Sequence, residues 1–414
     1  MAPTARAAAL VAVAALSALV APAWVAAIAV LVVAGVVVAD ALSVRTPPRV
    51  DREVAAVQSR GVGSRVVVRV AAAGRARVRQ PVPPDLFLDP DERDQGLLAT
   101  VTPMRRGRHS VPPVAVRVTG RLGLGAWYHQ RCGEATEVTV YPDLPAARTL
   151  AMAVRQGRFR DAGHLTRGPL GLGTDFETIR EYQPDDDVRQ INWSATRRTG
   201  RPMSNQYRIE QDREVICVVD TGRLMGAPLG DRTRLDAAVD AVAAVALVAD
   251  EVGDRCGVVA FDDAIRRSVR PRRNGGDAVV RAVFDLEPTP VESDHELAFR
   301  TVGGLKRALV IVLTDLLEES AARPLVDAVP VLARRHAVVV ATATDTDLAR
   351  IVEREPRQPH DVYEAAVAVD VLAARARAAA LLRRVGADVV EARPEALGAA
   401  CVRAYLRAKA RARL

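Results

Sequence analysis

Glu214-Val-Ile-Cys-Val-Val-Asp220 is the stretch on which the fold turns. Five apolar residues in a row, four of them β-branched, end in a carboxylate. Such a run reads as a strand buried on both faces, which happens where helices cover both sides of a parallel sheet. The chain then alternates between helix and strand. Helical patterns are expected over about 234–252, 277–286, 296–302, 321–334, 362–384 and 394–409. Between them lie apolar strand-like runs at about 256–261, 308–313, 337–342 and 388–390. This succession over 213–414 predicts an α/β, doubly wound, mostly parallel sheet. Right-handed crossovers place the strand C-termini on one edge, and Asp220 and Asp315 both fall there. In such folds that edge binds ligands or partners.

Upstream the texture changes. Residues 50–145 contain short β-branched segments at about 53–58, 65–70, 97–102, 114–118 and 137–141, separated by Gly/Pro turns such as Pro81-Val82-Pro83-Pro84. The spacing predicts a small antiparallel β domain, a sandwich or barrel. His109 and His129, close to Arg105, Arg106 and Arg108, are expected to be exposed turn residues and not ligands.

At the N-terminus no charge occurs from Ala7 to Ala39, between Arg6 and Asp40. A single straight helix would be about 50 Å long, too long for a hydrocarbon core of about 30 Å. Pro22 near the middle predicts a transmembrane helical hairpin over 1–42 instead. The competing reading is a secretory signal, since Ala21-Pro22-Ala23 imitates a cleavage site; a second apolar run comes at once, which a cleaved protein does not need. Arg45, Arg49, Arg52, Arg60 and Arg65 come next with few acids. Positive flanks stay inside, so the soluble domains are expected in the cytoplasm, tethered to membrane lipid by two helices.

The formal charge is +8, with Lys only at 306 and 409 and arginine spread along the whole chain. Acidic residues are interleaved almost everywhere, aromatics are 4%, and neither zinc-finger spacing nor an aromatic-and-basic motif occurs, so no nucleic acid is expected as partner. Cys132, Cys217, Cys256 and Cys401 stand far apart without a C-x-x-C pair, which reads as reduced structural thiols.

The segment 146–212 is a charged linker. Its heart runs from Gly171 to Arg197, with Asp175, Glu177, Glu181, Asp185, Asp186 and Asp187 set against Arg180, Arg189, Arg197, Arg198 and Arg201, and with Tyr182 and Trp193 as apolar anchors. Two readings stay open: Arg–carboxylate pairs that fix the linker to a domain, or a partner-docking surface. A metal at Asp185–Asp187 is disfavoured because adjacent side chains rarely converge on one ion.

This segment resembles the bacterial family called domain of unknown function fifty-eight, on Phe176, Ile179, Arg180, Glu181, Tyr182, Pro184, Asp186, Asp187, Arg189, Ile191, Trp193, Arg197 and Asp212. Asp185, Asn192 and Gln211 stand where that family prefers Gly, Asp and Arg. The likeness extends to Arg106-Gly107, Val140-Tyr141-Pro142 and the apolar N-terminus. It implies a von Willebrand factor A-like C-terminal half and a partner of the MoxR-type AAA+ ATPase class. In von Willebrand domains the first strand ends Asp-x-Ser-x-Ser and holds a divalent ion with a later Thr and Asp. Here the strand ends Asp220-Thr221-Gly222-Arg223-Leu224. Both hydroxyl positions are lost, so only remnants of a metal site are expected at Asp220 and Asp315. Thr289 and Thr301 are candidates for the Thr.

The chain has no P-loop, no G-x-S-x-G elbow, no H-E-x-x-H and no G-x-G-x-x-G, and its six histidines are isolated in sequence. The expectation is a non-enzyme without cofactor, a membrane-anchored adaptor. Its candidate partner surfaces are Arg180, Glu181, Tyr182, Asp186, Asp187, Arg189, Trp193 and Arg197 in the linker, and Asp220, Arg223 and Asp315 on the sheet edge. The alternative is a structural or adhesive protein of the cell envelope.

Overall fold

A computed structural model describes residues 1–19, 22–157, 175–183, 188–208, 213–305, 307–315 and 319–410. The chain forms two compact units, Met1–Tyr141 and Pro142–Leu414.

The first unit opens with helix Ala5–Leu16, a 3-10 turn Ser17–Leu19 and helix Ala23–Ser43. The second helix has 21 residues, about 32 Å at 1.5 Å per residue. Among the described residues it is the helix long and apolar enough to cross a bilayer, and Trp24, Ile28, Leu31, Val32, Val36 and Val38 on it are exposed. Its C-terminal end is fastened to the β structure. Asp40 accepts the backbone N–H groups of Leu122, Leu124 and Gly125 at 2.9–3.1 Å. The other end of the apolar segment returns to the same turn: Ala2–Pro3 pairs antiparallel with Gly125–Ala126, and Thr4 donates its hydroxyl to Gly123 O at 2.7 Å.

Three sheets make up the rest of this unit. One runs in the order Arg49–Val54, Ser64–Ala71, Leu97–Pro103, Leu86–Asp89, and a second in the order Ala2–Pro3, Gly125–Cys132, Val114–Thr119, Arg75–Arg79, Glu92–Asp94. The third joins Thr136–Tyr141 in parallel to Val57–Ser59 and antiparallel to Gly107–Val111. Strict alternation, as in Leu97, Ala99, Val101 and Pro103 inward, puts Val66, Val68, Val78, Val116, Val118, Val138 and Val140 in one core. The same alternation corrects the reading of His109 and His129. Both lie in strands and are buried, each with a ring nitrogen on a backbone carbonyl, Arg105 O at 3.0 Å and Val44 O at 3.1 Å.

The second unit is built on a six-stranded sheet in the order Ile265–Arg273, Arg255–Phe261, Glu214–Asp220, Ala308–Leu313, Ala337–Ala343, Asp388–Ala392. All pairs are parallel except the edge strand Ile265–Arg273, which runs antiparallel. Helix Arg234–Val252 begins with a Thr233/Asp236 capping box and ends on Gly253 at φ 82°, a conformation glycine adopts without penalty. It is buried nearly all round, because helices Leu144–Arg155, Gly276–Val283 and Leu397–Ala410 pack on it. That explains its Ala/Val composition: small side chains let four helices approach closely. Helix Leu144–Arg155 thus belongs to this unit, although its sequence reads as the start of the charged linker. On the other face Leu325, Val329, Leu332, Ala378 and Leu382 close the core over Ile216, Val218, Val310 and Val312. A separate hairpin, Asp175–Glu181 with Met203–Arg208, carries the short helix Trp193–Thr199 in its connection.

Candidate functional site

Chain order and sheet order differ at one place. Glu214–Asp220 leads to Arg255–Phe261 on one side, whereas Ala308–Leu313 lies on the other. The crevice between Glu214–Asp220 and Ala308–Leu313 is therefore the topological switch point, where open α/β sheets bind ligands outside the strand C-termini. Asp220 and Asp315 both lie at that edge, as their positions at strand ends imply.

Asp220 is 3% exposed, and its carboxylate is fully engaged by neutral donors. Oδ1 accepts Ser293 Oγ at 2.5 Å and Gly222 N at 2.8 Å; Oδ2 accepts Thr314 Oγ1 at 2.6 Å. His295 Nε2 stands 3.9 Å from Oδ2. The His295 ring packs edge-on to Phe261 and Phe299, and burial holds its pKa below the ordinary value against the opposing pull of Asp220. Asp315 is compensated differently. The Arg234 guanidinium lies 3.0 Å from its Oδ1 and also donates to Ala343 O at 3.1 Å, with Arg375 at 3.8 Å. Burial lowers the pKa of Arg234, opposed by Asp315. One strand away, Asp262 accepts Arg266 Nε at 2.5 Å, Thr289 Oγ1 at 2.8 Å and Ala264 N at 3.0 Å. Burial alone would raise its pKa; these donors outweigh it and bring the group to about 2.

The donor set does not fit the divalent ion that the von Willebrand resemblance implies. Such an ion needs several oxygen ligands at 2.0–2.6 Å around an accessible carboxylate. Here the second carboxylate is held by a guanidinium, and a side chain at position 222 would put its Cβ 2.1 Å from Ser293 Oγ. Thr289 turns to Asp262 and to Thr221 O, and Thr301 to Leu297 O; neither touches Asp220. The hydroxyls that do reach Asp220, Ser293 and Thr314, were not singled out by sequence reasoning, nor was Arg234. A Thr-Asp pair directly after an apolar strand was the available signal for Thr314. Arg223 lies at the rim, exposed and bound to Glu292 Oε1 at 2.6 Å.

The other candidate surface is the hairpin region. Asn192 caps helix Trp193–Thr199 by accepting Ala195 N at 2.9 Å, and its amide donates to Asn205 Oδ1 at 2.8 Å. The helix ends on Gly200 at φ 68°. Held between these caps, Trp193 is 70% exposed, and Arg197 is exposed one turn further on. Arg180 donates to Glu181 O at 3.0 Å, and Glu181 pairs loosely with Arg201 at 3.5 Å, both exposed. Tyr182 donates its N–H to Pro202 O at 2.9 Å. Arg189 falls in the turn Val188–Gln190. Asp185, Asp186, Asp187 and Asp212 lie outside the described residues.

Aligned over 218 residues, the chain is 29% identical to the "Uncharacterized protein Rv1480" of Mycobacterium tuberculosis (strain ATCC 25618 / H37Rv) and to the "Uncharacterized protein Mb1516" of Mycobacterium bovis. The alignment covers 49% of this chain and 66% of each relative's own length. Among solved structures, a cohesin module from a Clostridium perfringens ATCC13124 family 33 glycoside hydrolase covers 23% of this chain and 98% of that chain. Its TM-score is 0.17 and its identity 11%, too slight a likeness to carry a fold. Residues 178–379, which begin inside the hairpin strand Asp175–Glu181 and end in helix Pro359–Arg384, match the family described as "Protein of unknown function DUF58". Over those residues the chain is similar to that family.

Proposed function

We propose that this protein is a membrane-anchored, non-enzymatic adaptor that presents a von Willebrand factor A-like domain to a partner, a AAA+ ATPase of the MoxR type or that ATPase's client. The observation that carries the reading is Trp193, kept in water by a doubly capped helix beside Arg197. Tryptophan and arginine are the residue types that dominate interface energetics, and an indole exposed on a rigid element loses little entropy on docking. The pairing of Asp220 with Ser293 and Thr314, and of Asp315 with Arg234, supports a docking role for the sheet edge over a chemical one. The anchor in this reading is a two-helix hairpin, with both soluble units in the cytoplasm.

The test is affinity capture of the full chain from its own membranes in detergent, with ATP and magnesium in one sample and ADP in another, followed by mass spectrometry. Recovery of an AAA+ ATPase with the wild type and its loss with Trp193→Ala supports the adaptor. Absence of any ATPase in either nucleotide state sinks it, and recovery of envelope proteins alone moves the assignment to an envelope structural role.

A further inference from the structure

The turn Gly120–Gly125 joins strands Val114–Thr119 and Gly125–Cys132, and both ends of the apolar helical segment are tied to it. Asp40 is consumed by three of its backbone N–H groups, Thr4 holds Gly123 O, and Ala2–Pro3 extends its sheet. A Cβ on Gly120 or Gly125 would collide with Asp40, with Val37 O or with Ala41, so the turn is pressed against the helix end. At that junction an apolar, exposed helix surface gives way to folded β structure. On any reading in which the helix enters lipid, this turn lies at headgroup depth.

Its exposed side chains suit that depth. Leu122, at the tip, is 61% exposed. Arg121 precedes it, and the Arg6 guanidinium lies about 3.4 Å from where a Cβ on Gly123 would stand. Arg45 comes directly after Val44, whose carbonyl is bound to His129 in the adjoining strand. Arg6, Arg45 and Arg121 are exposed, and none pairs with a carboxylate of the described residues. Asp40, bound to the same turn, is already satisfied by backbone donors. Unpaired cations around an exposed apolar tip, continuous with a lipid-facing helix, match a membrane interface: guanidinium forks bind phosphate, and a leucine reaches below it.

We infer that the base of the helical segment is a lipid-headgroup site, in which Arg6, Arg45 and Arg121 hold the phosphates of anionic phospholipids and Leu122 inserts between them. The site rests on the membrane-anchored reading but is independent of any protein partner. It gives the anchor a lipid preference, and it sets how deeply the first unit sits against the bilayer.

The test uses the full chain and two vesicle types, one of phosphatidylcholine and one with phosphatidylglycerol added. A Leu122→Cys variant carries an environment-sensitive fluorophore, the four native thiols being buried. Wild-type arginines should give a blue-shifted emission and a preference for phosphatidylglycerol. Each arginine replaced by Gln should weaken that preference about fivefold. Co-flotation with vesicles should survive in Arg6→Gln, Arg45→Gln and Arg121→Gln, because the apolar helices still insert, and Arg121→Lys should retain most of the preference. Equal partitioning into both vesicle types, a preference indifferent to the substitutions, or a water-like emission in both would overturn the inference while leaving the anchor intact. Failure to float with either vesicle type would overturn the anchor as well.

Discussion

Asp254 is fully buried at the start of strand Arg255–Phe261. Lys409 Nζ lies 2.6 and 2.7 Å from its two oxygens, Tyr405 donates its hydroxyl to it, and Arg213 N binds it at 3.1 Å. Burial, then Asp254, raises the Tyr405 pKa, so the phenol stays a donor. A chain that otherwise prefers arginine keeps lysine here because a compact ammonium fits between two carboxylate oxygens, where a planar guanidinium needs more room. Lys409→Met should cost about 3–5 kcal/mol in denaturant unfolding, since it strands a buried carboxylate. Lys409→Arg should restore only part. Asp262 gives a pH prediction of defined sign. Its folded-state pKa is depressed to about 2 from a reference of 3.8. Its contribution to stability is therefore present above about pH 4 and is lost as pH falls through 2. Acid titration of Asp262→Asn, monitored by circular dichroism, should show a shallower loss across that window than wild type. An identical slope would remove Asp262 from the acid transition.

At the scale of elements, helix Trp193–Thr199 depends on one residue where the family prefers another. Asn192 caps the helix, as an aspartate would, but its amide also donates to Asn205 across the hairpin. Asn192→Ala should cost about 1 kcal/mol through the lost cap, and Asn192→Asp should cost less while loosening the Asn205 contact. Calorimetry of the two variants separates the roles. The edge strand Ile265–Arg273 makes a different point. Arg267, Arg270 and Arg272 are exposed along it, and Pro271 removes a backbone donor. Charges and proline on a free edge discourage pairing with other chains. Replacing Arg270 and Arg272 by Val should therefore raise concentration-dependent aggregation without lowering the unfolding midpoint. Those same features hide the strand in the sequence, where Arg-Arg-Ser and Arg-Pro-Arg-Arg break any apolar alternation. Strand Arg75–Arg79 escaped for a like reason, with only Ala76 and Val78 inward. Helix Thr346–Glu353 has no buried residue, and although Leu348, Ile351 and Val352 share one face, eight residues are too short a pattern to stand out. The buried parallel strands were legible because both faces demand apolar residues. The positions of Asp220 and Asp315 at strand ends were legible because the apolar runs stop there. Ser293 and Arg234 were not, since they lie 73 and 81 positions from the carboxylates they serve. Only tertiary packing brings such distant residues together.

At the scale of the whole molecule, the N-terminal segment leaves and returns at one place. Ala2–Thr4 and Asp40 are both attached to the turn before strand Gly125–Cys132. An apolar segment with its two ends so joined cannot leave them on opposite faces of a membrane without tearing Ala2–Pro3 from the sheet and Thr4 from Gly123. Helix Ala5–Leu16 has 12 residues, about 18 Å, and falls short of a hydrocarbon core of about 30 Å even with the 3-10 turn added. The expected topology is therefore an apolar loop that enters and leaves from the same side, with Arg6 and the β structure together. Cysteine substitutions at Thr4 and at exposed Val57, labelled in intact spheroplasts and in inverted vesicles with a membrane-impermeant maleimide, measure this directly. Both sites should label in inverted vesicles and neither in spheroplasts. Labelling of the two sites from opposite sides would mean that the Ala2–Pro3 pairing breaks in the membrane and that a single helix, Ala23–Ser43, spans it. Labelling of both in spheroplasts would keep the joined ends but place the soluble units outside, where a cytoplasmic ATPase could not reach Trp193.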